Sequence, residues 1–164
     1  MAEFARRSAR VILLDRSDRL LLVRSALTPG QPDSRYAWFT PGGGVEDGED
    51  LAGAAARELH EETGLRIAPN HLRLVAFTTG TADLGWANGL FRDDFFLCRV
   101  VKHDVDTAGQ TDFERQHYAG HRWWTHADLL ATKEIVYPND LAALVADLIA
   151  DRMPATPIAL PWHH

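Results

Sequence analysis

Residues Gly43–Leu65 read GGVEDGEDLAGAAARELHEETGL, and their spacing gathers four charged side chains on one side of a short helix. Asp50 is suited to cap the helix N-terminus and Gly64 to end it, so a helix is expected over about residues 50–63. With Arg57 set to zero and about 100° per residue, Glu61 falls at about 40°, Glu58 at about 100° and Glu62 at about 140°. The like charges of Glu58 and Glu62, one turn apart, repel by a few tenths of a kcal/mol in water and by more in a partly dry cleft. A divalent cation among them would reverse that penalty, which makes this face a candidate metal site. The opposite face carries Ala52, Ala56, Leu59 and Thr63, small enough to lie close to a sheet and hold the acidic face outward. Just upstream, Pro41 and the glycines Gly42, Gly43 and Gly44 predict a turn whose backbone can approach a ligand closely.

On the N-terminal side, the apolar runs Ala9–Leu14 and Leu20–Arg24 flank a polar turn and predict a hairpin. Ser25–Arg35, with two prolines and a glycine, reads as a surface loop, and Tyr36–Thr40 as a short aromatic strand. On the C-terminal side, Leu72–Thr79 and Leu90–Val101 read as strands joined by a loop rich in Gly and Ala. His103–Tyr118 is polar and reads as a mobile loop. Arg122–Trp124 is a short strand, and Thr125 caps a short helix over His126–Leu130. A last helix starts at Asn139 or Asp140 and runs to Asp151, with Leu141, Leu144, Val145 and Leu148 at helical spacing. Residues 154–164 contain three prolines and no periodicity and are expected to be extended or disordered, leaving residues 1–153 as one domain. Periodicity alone gives a mixed α and β chain.

With 164 residues, 46% of them apolar and 24% charged, the chain can bury a core of its own. A net charge of −6 leaves no basic excess for coating polymeric nucleic acid, but it does not exclude small phosphorylated substrates once a bound metal reverses the local field. The single cysteine, Cys98, has no internal disulfide partner and sits in an apolar run, where it reads as a buried small hydrophobe. No apolar stretch resembles a signal peptide or a membrane span, so no membrane association is expected and a cytoplasmic location is.

The stretch Gly43–Leu65, a box of fixed positions, carries a resemblance. Gly43, Glu49, Arg57-Glu58-Leu59, Glu61-Glu62 and Gly64-Leu65 fill every fixed position of the pattern G-x5-E-x7-R-E-U-x-E-E-x-G-U, where U is aliphatic. This resembles the Nudix hydrolase family. The resemblance implies an α/β/α sandwich around a mixed β-sheet and metal-dependent cleavage of a diphosphate linkage. It also implies that Glu58, Glu61 and Glu62 bind metal with the backbone carbonyl of Gly42, and that Arg57 holds the glutamates in place with Glu49 as its partner. An all-carboxylate donor set independently selects hard cations, Mg²⁺ or Mn²⁺, over zinc. The general base in such proteins is a box glutamate or a downstream residue, and Glu114 is the downstream candidate. Many members pair as homodimers.

Other features carry less. His117, His121 and His126 straddle a strand and a helix start with no cysteine beside them, which does not suit zinc. His163 and His164 read as tail. Most of the tryptophans and phenylalanines belong to the core, but Trp86 lies among Gly85, Asn88 and Gly89 and could stack on a nucleobase. Arg24, Arg35 and Arg92 are candidates for phosphate or ribose contacts. ADP-ribose hydrolases of the family often carry a proline where this chain has Gly80 and Thr81. Diadenosine polyphosphate hydrolases often carry a tyrosine where it has Thr81, Ala82 and Asp83, and the NADH and coenzyme A blocks are missing. A nucleoside triphosphate, ordinary or oxidised, is left as the leading substrate. The alternatives are an ADP-ribose or nucleotide-sugar pyrophosphatase and a non-catalytic nucleotide sensor. An isomerase of the same fold lacks a second reactive cysteine.

Overall fold

The first strand, β1 (Arg6–Leu14), is buried on both faces along its second half. Ile12 and Leu14 enter one apolar cluster, while Ala9, Val11 and Leu13 enter another on the opposite side. A strand of continuous apolar residues with a core on each face is central by construction. In this computed structural model, which describes residues 3–28, 30–31 and 34–162, the strand is the axis of a mixed nine-stranded sheet. Pro29 and Pro32 of the expected surface loop, and His163 and His164, lie outside the described residues.

β1 meets β2 (Leu20–Ala26) only at the hairpin end, Leu14 against Leu20. Beyond that point the two diverge. β2 continues between β3 (Tyr36–Phe39) and β7 (Tyr118–Trp124), while β1 pairs with β4 (Gly42–Gly44) and, in parallel, with β6 (Asn88–Arg99). The three glycines expected as a turn are therefore a short strand, antiparallel to Ser8–Arg10. Gly42 has φ +153°, and a Cβ there would stand 2.6 Å from the Arg10 Cα, so the close pairing requires glycine.

β5 (Arg73–Asp83) and β6 form one long hairpin, closed by Leu84 N–H donating to Ala87 O. Pairing runs from Arg73↔Leu97 to Asp83↔Asn88, so most of the expected Gly/Ala-rich loop is strand. Among the described residues, four α-helices complete the layers: α1 (Leu51–Thr63), α2 (Asp112–His117), α3 (His126–Ala131) and α4 (Leu141–Ile149). α1 packs Ala54, Ala55 and Leu59 on one side of the sheet, and α4 packs Leu141, Leu144, Val145 and Leu148 on the other. The expected α/β/α sandwich is the architecture found. None of these helices is long and apolar enough to cross a membrane.

Several short elements went unforeseen, among them a 3-10 turn over Pro69–His71. β8 (Ile135–Tyr137) pairs in parallel with β3, and α2 lies inside the segment expected to be a mobile loop. β9 (Ile158–Ala159) adds to the outer edge of β5, so the proline-containing tail is extended and docked. Cys98 is buried, and loss of hydration pushes its thiol up to about 11, consistent with a packing role.

Leu59 anchors α1 to the sheet with no exposed surface. Leu59→Ala should lower unfolding stability by about 2–5 kcal/mol in a urea titration.

Candidate active site

Both ends of α1 are closed as its sequence requires. Asp50 accepts from Gly53 N–H at 2.6 Å, and Gly64 adopts the left-handed conformation at φ +76° while its N–H reaches His60 O. The roll of the helix differs from the expectation. Ala52 and Ala56 are only half-buried, and the inward stripe is Ala54, Ala55, Glu58, Leu59 and Thr63. The acidic face is therefore turned partly toward β4 rather than outward.

The glycines explain how carboxylates can face a strand. A Cβ on Gly43 would lie 2.6 Å from the Glu58 carboxylate, so this side chain occupies space left by a missing methyl group. Glu62 accepts from Gly42 N–H at 3.0 Å. Confinement has the expected electrostatic result. Burial raises the Glu58 carboxyl against the pull of Arg57 and pushes Glu62 up to about 8 against the Gly42 N–H.

Arg57 gathers the remaining groups. Its Nε and one terminal nitrogen donate to the two Glu49 oxygens at 2.8 and 2.9 Å, a bidentate pair. The same arginine donates to Gly44 O and Glu58 at 2.9 Å and reaches Glu61 at 3.3 Å. The hydrogen bonds from Arg57 hold Glu49 below the usual carboxylate range, and those to Glu49 and Glu58 raise Arg57.

Glu114 arrives from a different element. Asp106 N–H donates to Thr63 O at 2.9 Å and His103 Nε2 to the same oxygen at 2.6 Å, satisfying a terminal carbonyl of α1. Gly109 then passes against the backbone of Glu61. This wrapping places α2 beside α1. In the capping box of α2, the Thr111 hydroxyl accepts from Glu114 N–H, and the Glu114 carboxylate accepts from Thr111 N–H at 3.0 Å. The result is that one carboxylate oxygen each from Glu58, Glu61 and Glu114 lies within 4.8 Å of the others. Burial, and to a smaller extent the charge of Glu61, raise the Glu114 carboxyl. Three crowded carboxylate oxygens fit a hard divalent cation, and burial raises two of the three carboxyls, Glu58 and Glu114.

On the other side of the β1/β4 pair is a solvent-open cleft of about 90 Å³. Arg6, Ser8 and Arg10 project into it from β1, with Phe91, Asp93 and Phe95 from β6 and Phe39, Tyr137 and Trp162 as further aromatic lining. Arg10 pairs with Asp93 at 3.5 Å. The sequence reading missed Arg6 and Arg10, although polar side chains at alternate positions ahead of Ile12 and Leu14 were the available signal. The four expected substrate contacts do not line this cleft. Arg24 lies over the Tyr36 ring at 4.1 Å, and Arg35 is exposed just ahead of β3. Arg92 pairs with the buried Asp94 at 3.0 Å and covers Phe77. Trp86 is 64% exposed at the hairpin tip and meets Phe91 edge-on at 6.2 Å. His117 and His126 donate to the carbonyls of Phe113 and Ala142, and His121 pairs with Tyr118.

A sandwich in which an arginine-pinned helix offers clustered carboxylates beside a cationic, aromatic cleft defines a class of phosphate-handling enzyme. Residues 5–144 match the model of the NUDIX domain, and the chain belongs to the Nudix family as a Nudix hydrolase. It is 26% identical over 131 residues to an RNA pyrophosphohydrolase of Shewanella frigidimarina, covering 71% of this chain and 74% of that one. A stretch of 52 residues, 32% of the chain, is 46% identical to diphosphoinositol polyphosphate phosphohydrolase 2 of Rattus norvegicus, of which it spans 26%. A NUDIX hydrolase from Nitrosomonas europaea has the same fold, with a TM-score of 0.65 at 18% identity over 90% of each chain.

Gly43→Ala should expel the Glu58 carboxylate from its seat. The expected outcome is a folded protein by circular dichroism that lacks the rise in melting temperature expected of the parent with Mn²⁺. An unchanged response to Mn²⁺ would remove Glu58 from the metal site.

Proposed function

We propose that this chain is a Mg²⁺- or Mn²⁺-dependent pyrophosphohydrolase that cleaves a diphosphate linkage in a nucleoside diphosphate derivative, with a nucleoside triphosphate as the leading substrate. The observation that carries this reading is the convergence of Glu58, Glu61 and Glu114, within 4.8 Å, beside a cleft holding Arg6 and Arg10. Glu58 and Glu61, with Glu62 and the Gly42 backbone next to them, would hold the cation. Bound there, it would neutralise phosphate charge and lower the pKa of a coordinated water.

The chain's own groups account for the rest. Arg57 fixes the directions of Glu58 and Glu61, so the carboxylates are oriented before substrate arrives. Arg6 is pulled below its ordinary value by burial and then by the nearby Arg10, a cost that a bound phosphate relieves. Glu114 stands on its own element and accepts the proton of the water that attacks phosphorus. The new P–O bond forms as the bridging P–O bond breaks, and the electron pair leaves with the departing phosphate or nucleotide.

The lining also separates substrate classes. A polyphosphorylated inositol needs a dense cationic site. This cleft offers Arg6 and an Arg10 already paired with Asp93, among several aromatic rings. A planar base suits those rings better, so a nucleotide is favoured over the substrate named for the rat relative.

In a panel of nucleoside triphosphates, ADP-ribose and nucleotide sugars with Mg²⁺, a triphosphate should be hydrolysed and chelator should abolish turnover. Glu61→Gln and Glu114→Gln should each lower kcat by about 10²–10⁴. Turnover that survives chelation, or a Glu61→Gln enzyme of parental activity, would overturn the assignment.

A further inference from the structure

The cleft is completed by a residue from the far end of the chain. β9 pairs in parallel with β5, Ile158 against Ala76 and Ala159 against Phe77, and Leu160 N–H donates to Phe77 O at 2.8 Å. Leu160 also packs on the core shared with α4. This anchorage carries the chain along the edge of the sheet and sets Trp162 against Gly80.

Three contacts then seat the indole. A Cβ on Gly80 would collide with the Trp162 ring, so a glycine inside a long strand, otherwise a weakness, makes room for it. Nε1 donates to Thr81 O at 3.2 Å. The ring stacks on Phe91 with centroids 6.3 Å apart and planes at 28°. Phe91 and Trp162 both line the cleft that holds Arg6 and Arg10. Trp86 touches Phe91 from the side, lies under the Arg6 guanidinium at 5.3 Å and stays outside the lining. Here a backbone pairing, a core leucine, an interior glycine and an indole hydrogen bond all serve to hold one aromatic face at the cleft.

We propose that Trp162 is a specificity-determining wall of the substrate cleft, giving its aromatic surface to the base of the nucleotide, and that the C-terminal segment is therefore part of the binding site. The proposal rests on the nucleotide reading above and adds to it the residue that recognises the base. Stacking of one base on one ring predicts a loss of about tenfold or more in apparent affinity when the ring is removed.

The test uses the full chain with Mg²⁺ and the best triphosphate of the panel. Trp162→Ala should raise KM about tenfold or more and leave kcat within about threefold, whereas Trp162→Phe should keep KM near the parent value. Gly80→Val, which denies the indole its seat while keeping it in the chain, should reproduce the rise in KM. Inorganic tripolyphosphate, which has no base, should inhibit the parent and Trp162→Ala with the same Ki. An unchanged KM in Trp162→Ala, or an equal weakening of the triphosphate and tripolyphosphate, would overturn the proposal by making Trp162 inert or merely structural. If the parent hydrolyses no triphosphate, calorimetric binding of the same nucleotide to the parent and to Trp162→Ala decides the point separately. Tenfold weaker binding by the variant would support the wall while the hydrolase reading fell, and no binding to the parent would overturn both.

Discussion

The site depends on one guanidinium. A set of carboxylates brought within reach of one another repels itself, and the fold must hold the set together before any cation is bound. Arg57 does this by reaching four groups on three pieces of chain: Glu49 in the loop, the Gly44 carbonyl on β4, and Glu58 and Glu61 on its own helix. Its planar fork suits the bidentate grip on Glu49, which leaves the other terminal nitrogen for the helix glutamates. A lysine has the charge but not the geometry. One positive charge does not balance the acidic groups around it. Burial raises Glu58 despite its bond to Arg57, and raises Glu62 and Glu114, which lie outside the arginine's hydrogen bonds. The clamp orients the cluster and leaves it with negative charge to spare, as a cation site requires.

Helical order was legible because its signals are local. Asp50, Gly64 and the spacing of Arg57, Glu58, Glu61 and Glu62 depend only on neighbours within a few residues, and α1 begins and ends where they place it. The roll of the helix was not legible, since a wheel assigns glutamates to water. The inward turn of Glu58 depends on the missing Cβ of Gly43, a residue on another element. The hydrogen bond that holds Glu62 likewise comes from β4. Burial of a charged group beside a glycine strand is a tertiary fact with no periodicity.

The segment before β7 shows the same limit. His103–Tyr118 is polar, and six helical residues give too short a window for a pattern. Its one local signal was the spacing Thr111-x-x-Glu114, which closes as a capping box. What brings Glu114 to the site is the docking of His103 and Asp106 on the Thr63 carbonyl, which only the folded chain displays. β8 and β9 have three and two residues, and both form because a longer strand offers them an edge.

β1 joins the two halves of the site. Its later residues fill both cores, while Arg6, Ser8 and Arg10 turn toward the cleft and β4 pairs along the same stretch. The ribbon therefore has cationic side chains on one side and the glycine strand that receives Glu58 and Glu62 next to it. Arg6 feels the charge of Glu58, and Arg10 that of Glu62. The two arginines cannot neutralise these glutamates outright, because strand pairing holds them on the cleft side and Asp93 already engages Arg10. An anionic group at the edge of this ribbon is attracted by the arginines and repelled by bare carboxylates. It becomes welcome on both sides only when the carboxylates carry a cation. The coupling of metal to phosphate thus follows from where one strand leaves the core.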